Sequence, residues 1–245
     1  WIRIPFVNLT FQSSDFAKLA LIIYLSKLLV RKQQKFDNWK EGIFPLLLPI
    51  GLTCFLILKD NFSTAAMLFM LSMIMLFIGR VPLLKLFTLA GIGIGIVGIV
   101  VGAHLAFPDA NILPRYDTWM NRINNRVDAK DQSIESLQAN QQANNAKLAI
   151  SVGAVFGQGV GDGKLKEFLP EAYADFYYAT FVEEFGFVSA LILVLMYLIL
   201  LFRMIRFALK TQDLFQSYVA MGIGIHLLTQ ASVNMLVCTG VFPVT

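Results

Sequence analysis

The sequence predicts an all-α, polytopic membrane helix bundle, and three observations predict it. Of 245 residues, 57% are hydrophobic and 15% charged, with a mean hydropathy of +0.66; soluble domains hold about 45–50% apolar and about 25% charged residues. The apolar residues are gathered into six blocks of membrane-spanning scale, where about 20 residues cross roughly 30 Å of hydrocarbon. Basic residues alternate between the segments joining those blocks, which is the pattern that orients membrane helices.

The first block, Phe16–Val30, is short and holds Lys18 and Lys27, whose heads must reach an interface. The second, Ile43–Leu58, contains Pro45 and Pro49, which membrane helices tolerate when neighbouring groups re-satisfy the backbone. Phe62–Gly79 is the third. The fourth, Leu83–Phe107, carries Gly91, Gly93, Gly95, Gly98 and Gly102 and reads as a packing helix with a smooth face. Phe176–Phe202 and Phe215–Val237 complete the set.

Orientation follows from the short loops. Arg31, Lys32, Lys35 and Lys40 follow the first block, Arg80 and Lys85 the third, and Arg203, Arg206 and Lys210 the fifth. These three loops belong in the cytoplasm. Both chain ends, Lys59-Asp60-Asn61 and the long loop 108–175 then lie outside. The whole chain, 1–245, is expected to be one integral-membrane domain. It begins at Trp1 and stops just after a helix, so a fragment of a longer protein is expected.

The net charge of +4 mostly restates this positive-inside bias, so nucleic acid is not an expected partner. Cys54 and Cys238 sit in or at the end of apolar helices and read as packing residues. No H-E-x-x-H, Cys/His cluster or G-x-S-x-G is present.

The long loop has three parts. Pro114–Ile123 is basic and aromatic, as suits anionic or sugar surfaces; Asp128–Ile150 is rich in Gln, Asn and Ala and reads as a solvated or interfacial helix. The third part carries Gly153, Gly157, Gly159, Gly161 and Gly163. A phosphate loop is excluded, because Gln158 stands where its first Gly belongs and Leu165 where Ser or Thr belongs. A hinge remains, or a turn whose N–H groups face an anion. Next comes Phe168-Leu-Pro-Glu171-Ala-Tyr173-Ala-Asp175-Phe, followed by an apolar run containing Glu183 and Glu184. Acids at the mouth of a membrane helix and within it point to a polar reaction or transport site at a bilayer face.

These residues carry a resemblance. Phe11-Gln-Ser-Ser-Asp15-Phe-Ala-Lys18 resembles the F-Q-P-S-E-F-A-K segment of the SEDS family, which includes FtsW, RodA and SpoVE. Leu58-Lys-Asp-Asn61-Phe-Ser-Thr64-Ala resembles its Q-P-D-F-G-T-A turn, and Arg115 and Trp119 fall at its arginine and tryptophan. Phe168–Phe176 is similar to L-P-E-x-H-T-D-F, Glu183-Glu184-Phe-Gly186 to E-E-x-G, and Gly240–Thr245 to G-L-L-P-V-T. Thr64-Ala65 and Asn234-Met235 lean toward the division-type, FtsW-like branch. The family has ten spans, of which this chain would supply the fourth to the ninth. Ser13 replaces the usual Pro, Asp15 a Glu, Asn61 an Asp, and Tyr173 and Ala174 a His and a Thr.

The resemblance implies a peptidoglycan glycosyltransferase that polymerises Lipid II at the outer face of the bacterial cytoplasmic membrane, in cell division. It implies Asp175 as the general base of an inverting transfer, a role compatible with capping the helix that begins at Phe176. Lys18, Arg115 and Arg122 are the expected cations for the pyrophosphate. Glu171 is expected to orient a cation or to bind a divalent metal (Mg or Mn). Glu183, Glu184, Gln230 and Asn234 are expected to be structural polar groups in the membrane; Gln230 and Asn234 share a helix face at i, i+4 spacing. The implied partners are Lipid II, a class B penicillin-binding protein and other divisome or elongasome membrane proteins. Two rival readings remain. In a lipid-linked-sugar flippase, Glu183 or Glu184 would matter more than Asp175; in a scaffold, no single carboxylate would be essential.

Overall fold

The computed structural model describes residues 2–3, 10–58, 61–106, 134–165 and 176–242. Seven α-helices occur among them: α1 (Ser13–Lys32), α2 (Phe44–Leu58), α3 (Phe62–Ile78), α4 (Leu83–Ala106), α5 (Ile134–Val152), α6 (Tyr177–Lys210) and α7 (Leu214–Cys238). A two-residue antiparallel pair, β1 (Ile2–Arg3) with β2 (Thr10–Phe11), precedes them, with Ile2 opposite Phe11. Every expected apolar block is a helix, and α5 falls in the Gln/Asn-rich part of the long loop. Pro114–Ile123 lies outside the described residues.

Among the described residues, four spans are long and apolar enough to cross a bilayer: Trp39–Leu58, which joins a π-turn (Trp39–Ile43) to α2, and then α4, α6 and α7. α3 is apolar but has 17 residues. α1 has 20 but carries Asp15, Lys18 and Lys27. The long helices leave much apolar surface uncovered by the chain itself; Leu84, Phe87, Ile94 and Ile99 of α4 are each between 73% and 80% exposed. Lipid covers such a face without cost, whereas water would not. Of the α4 glycines, only Gly93 meets a neighbour, where an added Cβ would lie 2.7 Å from the Phe69 ring; Gly91, Gly95, Gly98 and Gly102 face open space.

Two compact units can be distinguished: Trp1–Pro114 with Arg203–His226, and Arg115–Phe202 with Leu227–Thr245. The physical reason is two separate cores. In the first unit, α1 buries Leu21, Ile22, Leu25 and Leu29 at helical spacing against Leu46 and Ile50 of α2 and Leu68, Leu71, Met75 and Leu76 of α3. Acidic Asp15 in the first turn of α1 and basic Arg31 and Lys32 in the last suit the helix dipole.

Local chemistry sets the ends of these helices. Pro49 has no N–H to give the Pro45 carbonyl inside α2; one turn on, Thr53 Oγ1 donates to the Pro49 carbonyl at 2.7 Å. Asn61 caps α3, its Oδ1 accepting from Thr64 N at 3.0 Å. The amide therefore retains the capping ability of the aspartate that it replaces. Lys85 donates to the carbonyls of Phe36 and Asp37 and lies 5.6 Å over the Trp39 ring, closing the turn between α1 and α2.

The second core is smaller and built on small residues. Ala146 and Ala149 of α5 and Ala179 of α6 are fully buried with Phe176, Val237 and Cys238. Such short side chains allow close helix approach. α7 ends on Gly240 (φ 76°), with Val241 N and Phe242 N both donating to Leu236 O.

Candidate functional site

α6 is not one continuous helix. Gly186 has φ 79° and ψ 176°, a conformation that glycine alone adopts readily. The break leaves backbone groups on either side without helical partners, and the segment after α5 supplies them. Gln158 N donates to Glu183 O at 2.9 Å and Gly159 N to Glu184 O at 3.1 Å. In the other direction, Phe187 N donates to Ala154 O at 3.0 Å and Val188 N to Val155 O at 3.3 Å. A broken membrane helix is tolerated where other protein groups re-satisfy its backbone in this way.

The glycine run read as a hinge or anion turn is therefore packed against the α6 break. Close approach explains Gly153, Gly157 and Gly163, whereas Gly161 meets nothing within 4 Å and its φ of 87° is what favours glycine. A Cβ on Gly153 would stand 2.7 Å from the Val182 carbonyl carbon, and one on Gly157 would stand 2.6 Å from that of Glu184. The Gly159 amide, which an anion site would need, is already bonded to a carbonyl. Glycine spacing along the chain is silent about which backbone will approach.

Glu183 lies at the centre of this junction and is 1% exposed. Its Oε1 accepts from Leu165 N at 2.9 Å. Its Oε2 is buried and has no hydrogen-bond partner among the described residues. Gly163 makes room for it: a Cβ there would lie 3.0 Å from the Glu183 Cδ. Glu184, about 100° further round the helix, is only partly buried. The start of α6 is held from α7, where Asn234 Oδ1 accepts from Tyr178 N at 3.1 Å, satisfying one of the amides that a helix N-terminus leaves open. Gln230, one turn earlier on α7, is exposed.

In the first unit, Lys18 is 6% exposed yet charged. Its Nζ bonds Asp15 Oδ1 at 2.7 Å, from one turn earlier on α1. Asp15 itself is largely exposed, with 58% of its side chain accessible. The pair thus runs from a buried ammonium to an open carboxylate, which supports a polar site better than it supports stability.

Asp175, Glu171, Arg115 and Arg122 lie outside the described residues. Phe176, directly after Asp175, is 1% exposed in the second core. Among the described residues no three His, Cys, Asp or Glu side chains are grouped to hold a metal. The sequence marks Gly163 only as part of a glycine run and Gly186 only as part of the E-E-x-G match, and Leu165 N not at all, because a backbone amide and two glycines carry no chemical signature of their own.

The fold and these polar junctions define a multi-pass helical membrane protein with a broken helix and buried ionisable groups. Within that class, the chain belongs to the FtsW/RodA/SpoVE family: the family model described as cell cycle protein matches residues 1–245. A relative from Geobacter sp. (strain M18), named "Probable peptidoglycan glycosyltransferase FtsW", is 34% identical over 99% of this chain and 62% of its own length. "Stage V sporulation protein E" of Bacillus subtilis (strain 168) is 32% identical over 100% of this chain and 63% of its own. The chain thus spans about three-fifths of the length of these relatives. A solved structure described as "Structural coordination of polymerization and crosslinking by a peptidoglycan synthase complex" contains a chain with the same fold. Its TM-score is 0.63 and its identity 24%, over 100% of this chain and 63% of that one.

Proposed function

We propose that the protein of which this chain is part is a peptidoglycan glycosyltransferase that polymerises Lipid II at the outer face of the bacterial cytoplasmic membrane, in cell division. The similarity to proteins named as such, running through nearly the whole chain, supports the reaction class. The observation in this chain that carries the reading is Lys18, a buried cation paired with a largely exposed acid in the first turns of α1. Such a pair contributes little to stability, and an anionic pyrophosphate is the ligand that a buried ammonium suits.

In the reaction, the glucosamine 4-hydroxyl of one Lipid II attacks the anomeric carbon of the growing chain. The C–O bond to the undecaprenyl pyrophosphate breaks, and the linkage inverts from α to β. Asp175 takes the hydroxyl proton. Lys18, Arg115 and Arg122 meet the charge that develops on the pyrophosphate, Arg bidentately and Lys as a point charge. Glu171 orients one of these cations or binds a divalent metal. A class B penicillin-binding protein is the partner that the family resemblance implies.

The test is Lipid II polymerisation by the full-length protein with that partner, wild type against Asp175→Asn. Loss of glycan strands in a folded, assembled variant is the expected result; general-base removal costs about 10²–10⁴-fold. An active variant removes Asp175 as the base. A wild type that assembles without polymerising returns the protein to the flippase or scaffold reading.

A further inference from the structure

Leu165 and Phe176 are the two described residues that bracket 166–175 in the sequence, and both are tied to the first turns of α6. Leu165 is held by its amide, donated to the buried Glu183 carboxyl at 2.9 Å, and by partial burial against the second core. Phe176 is held by its fully buried ring, and the next turn is pinned where Asn234 accepts from Tyr178 N at 3.1 Å.

Glu183 is an unusual choice for such a tie. A neutral Gln would accept the same N–H, and a buried acid with one oxygen unpartnered among the described residues is costly. Space has nonetheless been kept for it, since any side chain at Gly163 would begin 3.0 Å from its Cδ. The carbonyls of the same turn, at 183 and 184, are occupied by the segment's own amides. Side chain and backbone of one helical turn therefore grip one glycine-rich segment from end to end.

We propose that Glu183 is a positioning residue for the transfer reaction. It acts by fixing the Gly163–Leu165 backbone, which precedes Glu171 and Asp175 in the sequence, and its effect is on turnover rather than on substrate affinity. This rests on the glycosyltransferase reading above. Displacement of a reacting group by about 1 Å costs about 100-fold in rate.

The experiment compares wild type, Glu183→Gln, Glu183→Leu and Gly163→Ala in the full-length, partner-bound protein. It measures kcat and KM for Lipid II polymerisation together with hydrogen–deuterium exchange of peptides covering 163–176. Glu183→Leu removes the acceptor and is expected to lower kcat about 100-fold while KM stays within about threefold, with faster exchange at the Leu165 amide. Glu183→Gln restores the acceptor and is expected within about threefold of wild type. Gly163→Ala keeps the carboxyl but crowds it, and a loss of roughly tenfold in kcat is expected; it serves if the Leu variant does not fold.

Wild-type turnover in Glu183→Leu, or in Gly163→Ala where the Leu variant does not fold, overturns the proposal. So does a Gln variant as impaired as Leu, which would give the carboxyl a direct chemical part. If the wild-type complex makes no glycan, the glycosyltransferase reading fails on its own account. Exchange at Leu165 that is unchanged in the Leu variant then overturns the positioning role as well.

Discussion

The two compact units are held together by different physics. In the first, α1, α2 and α3 pack through large aliphatic side chains at helical spacing, with Leu25, Leu29, Leu46 and Leu76 at or near zero exposure. In the second, α5 and the glycine segment approach α6 until backbone meets backbone, and the core is largely alanine. Aliphatic packing is forgiving, because side chains can shift among rotamers and neighbours can partly fill a gap. Backbone-to-backbone packing is not, because a peptide plane has no alternative rotamer to retreat into. The unit with the rigid junction is also the one that carries the expected acids, so precision is concentrated where the chemistry is proposed.

The sharpest way to break this contrast is Gly186→Ala. The new Cβ would clash with the Gly157 amide nitrogen and the Val155 carbonyl oxygen, and the φ of 79° is itself unfavourable for alanine. A loss of about 3 kcal/mol or more is expected, read as the fall in thermal midpoint of the purified protein in detergent. A midpoint within a degree of wild type would show that the helix break is not a fixed feature.

Leu29→Ala comes next, because Leu29 is fully buried and also contacts the position of Gly79. A loss of about 2–4 kcal/mol is expected in the same assay, while Leu29→Met should cost less than about 1.5 kcal/mol. If Met proves as damaging as Ala, the first unit is packed as rigidly as the second and the comparison fails.

Asp15→Ala sharpens the picture at the proposed substrate-facing side. It leaves the buried Lys18 ammonium without its partner, and because Asp15 is largely exposed the stability loss should stay near 1 kcal/mol. The expected larger effect is on Lipid II turnover. Equal activity of Asp15→Ala and wild type would remove the pair from the site. The smallest effect belongs to Gly95→Ala in α4, which meets nothing within 4 Å. Stability should be unchanged or higher by under about 1 kcal/mol.

The positions of the helices were legible in the sequence, and two of them almost to the residue, although α6 runs on to Lys210 past the expected Phe202. Phe62–Gly79 was expected and α3 runs Phe62–Ile78; Leu83–Phe107 was expected and α4 runs Leu83–Ala106. Long apolar runs are a one-dimensional signal, and breakers such as Gly79 and Pro82 punctuate them. The α5 helix was visible as weak periodicity, but the burial of Ala146 and Ala149 was not, since alanine suits solvent and core equally. The glycine run reads from sequence as a hinge or an anion-facing turn, and its packing partner, the α6 break, is not visible there because it lies over twenty residues further on. Asn234, expected as a structural polar group, joins α7 to the start of α6, and its partner is the Tyr178 amide 56 positions away, a backbone group that no side-chain pattern marks.

Composition and apolar block length by themselves determined that this protein is a multi-pass helical membrane protein, and the ordered motifs determined its family. Both are properties of the chain read locally, since the bilayer selects for length and hydropathy before any helix meets another. Tertiary structure alone decided that α6 is broken at Gly186, that a distant glycine segment mends it, and that Glu183 rather than Glu184 is enclosed. Those outcomes depend on which backbone groups a fold brings within hydrogen-bonding distance, and every residue carries the same backbone groups.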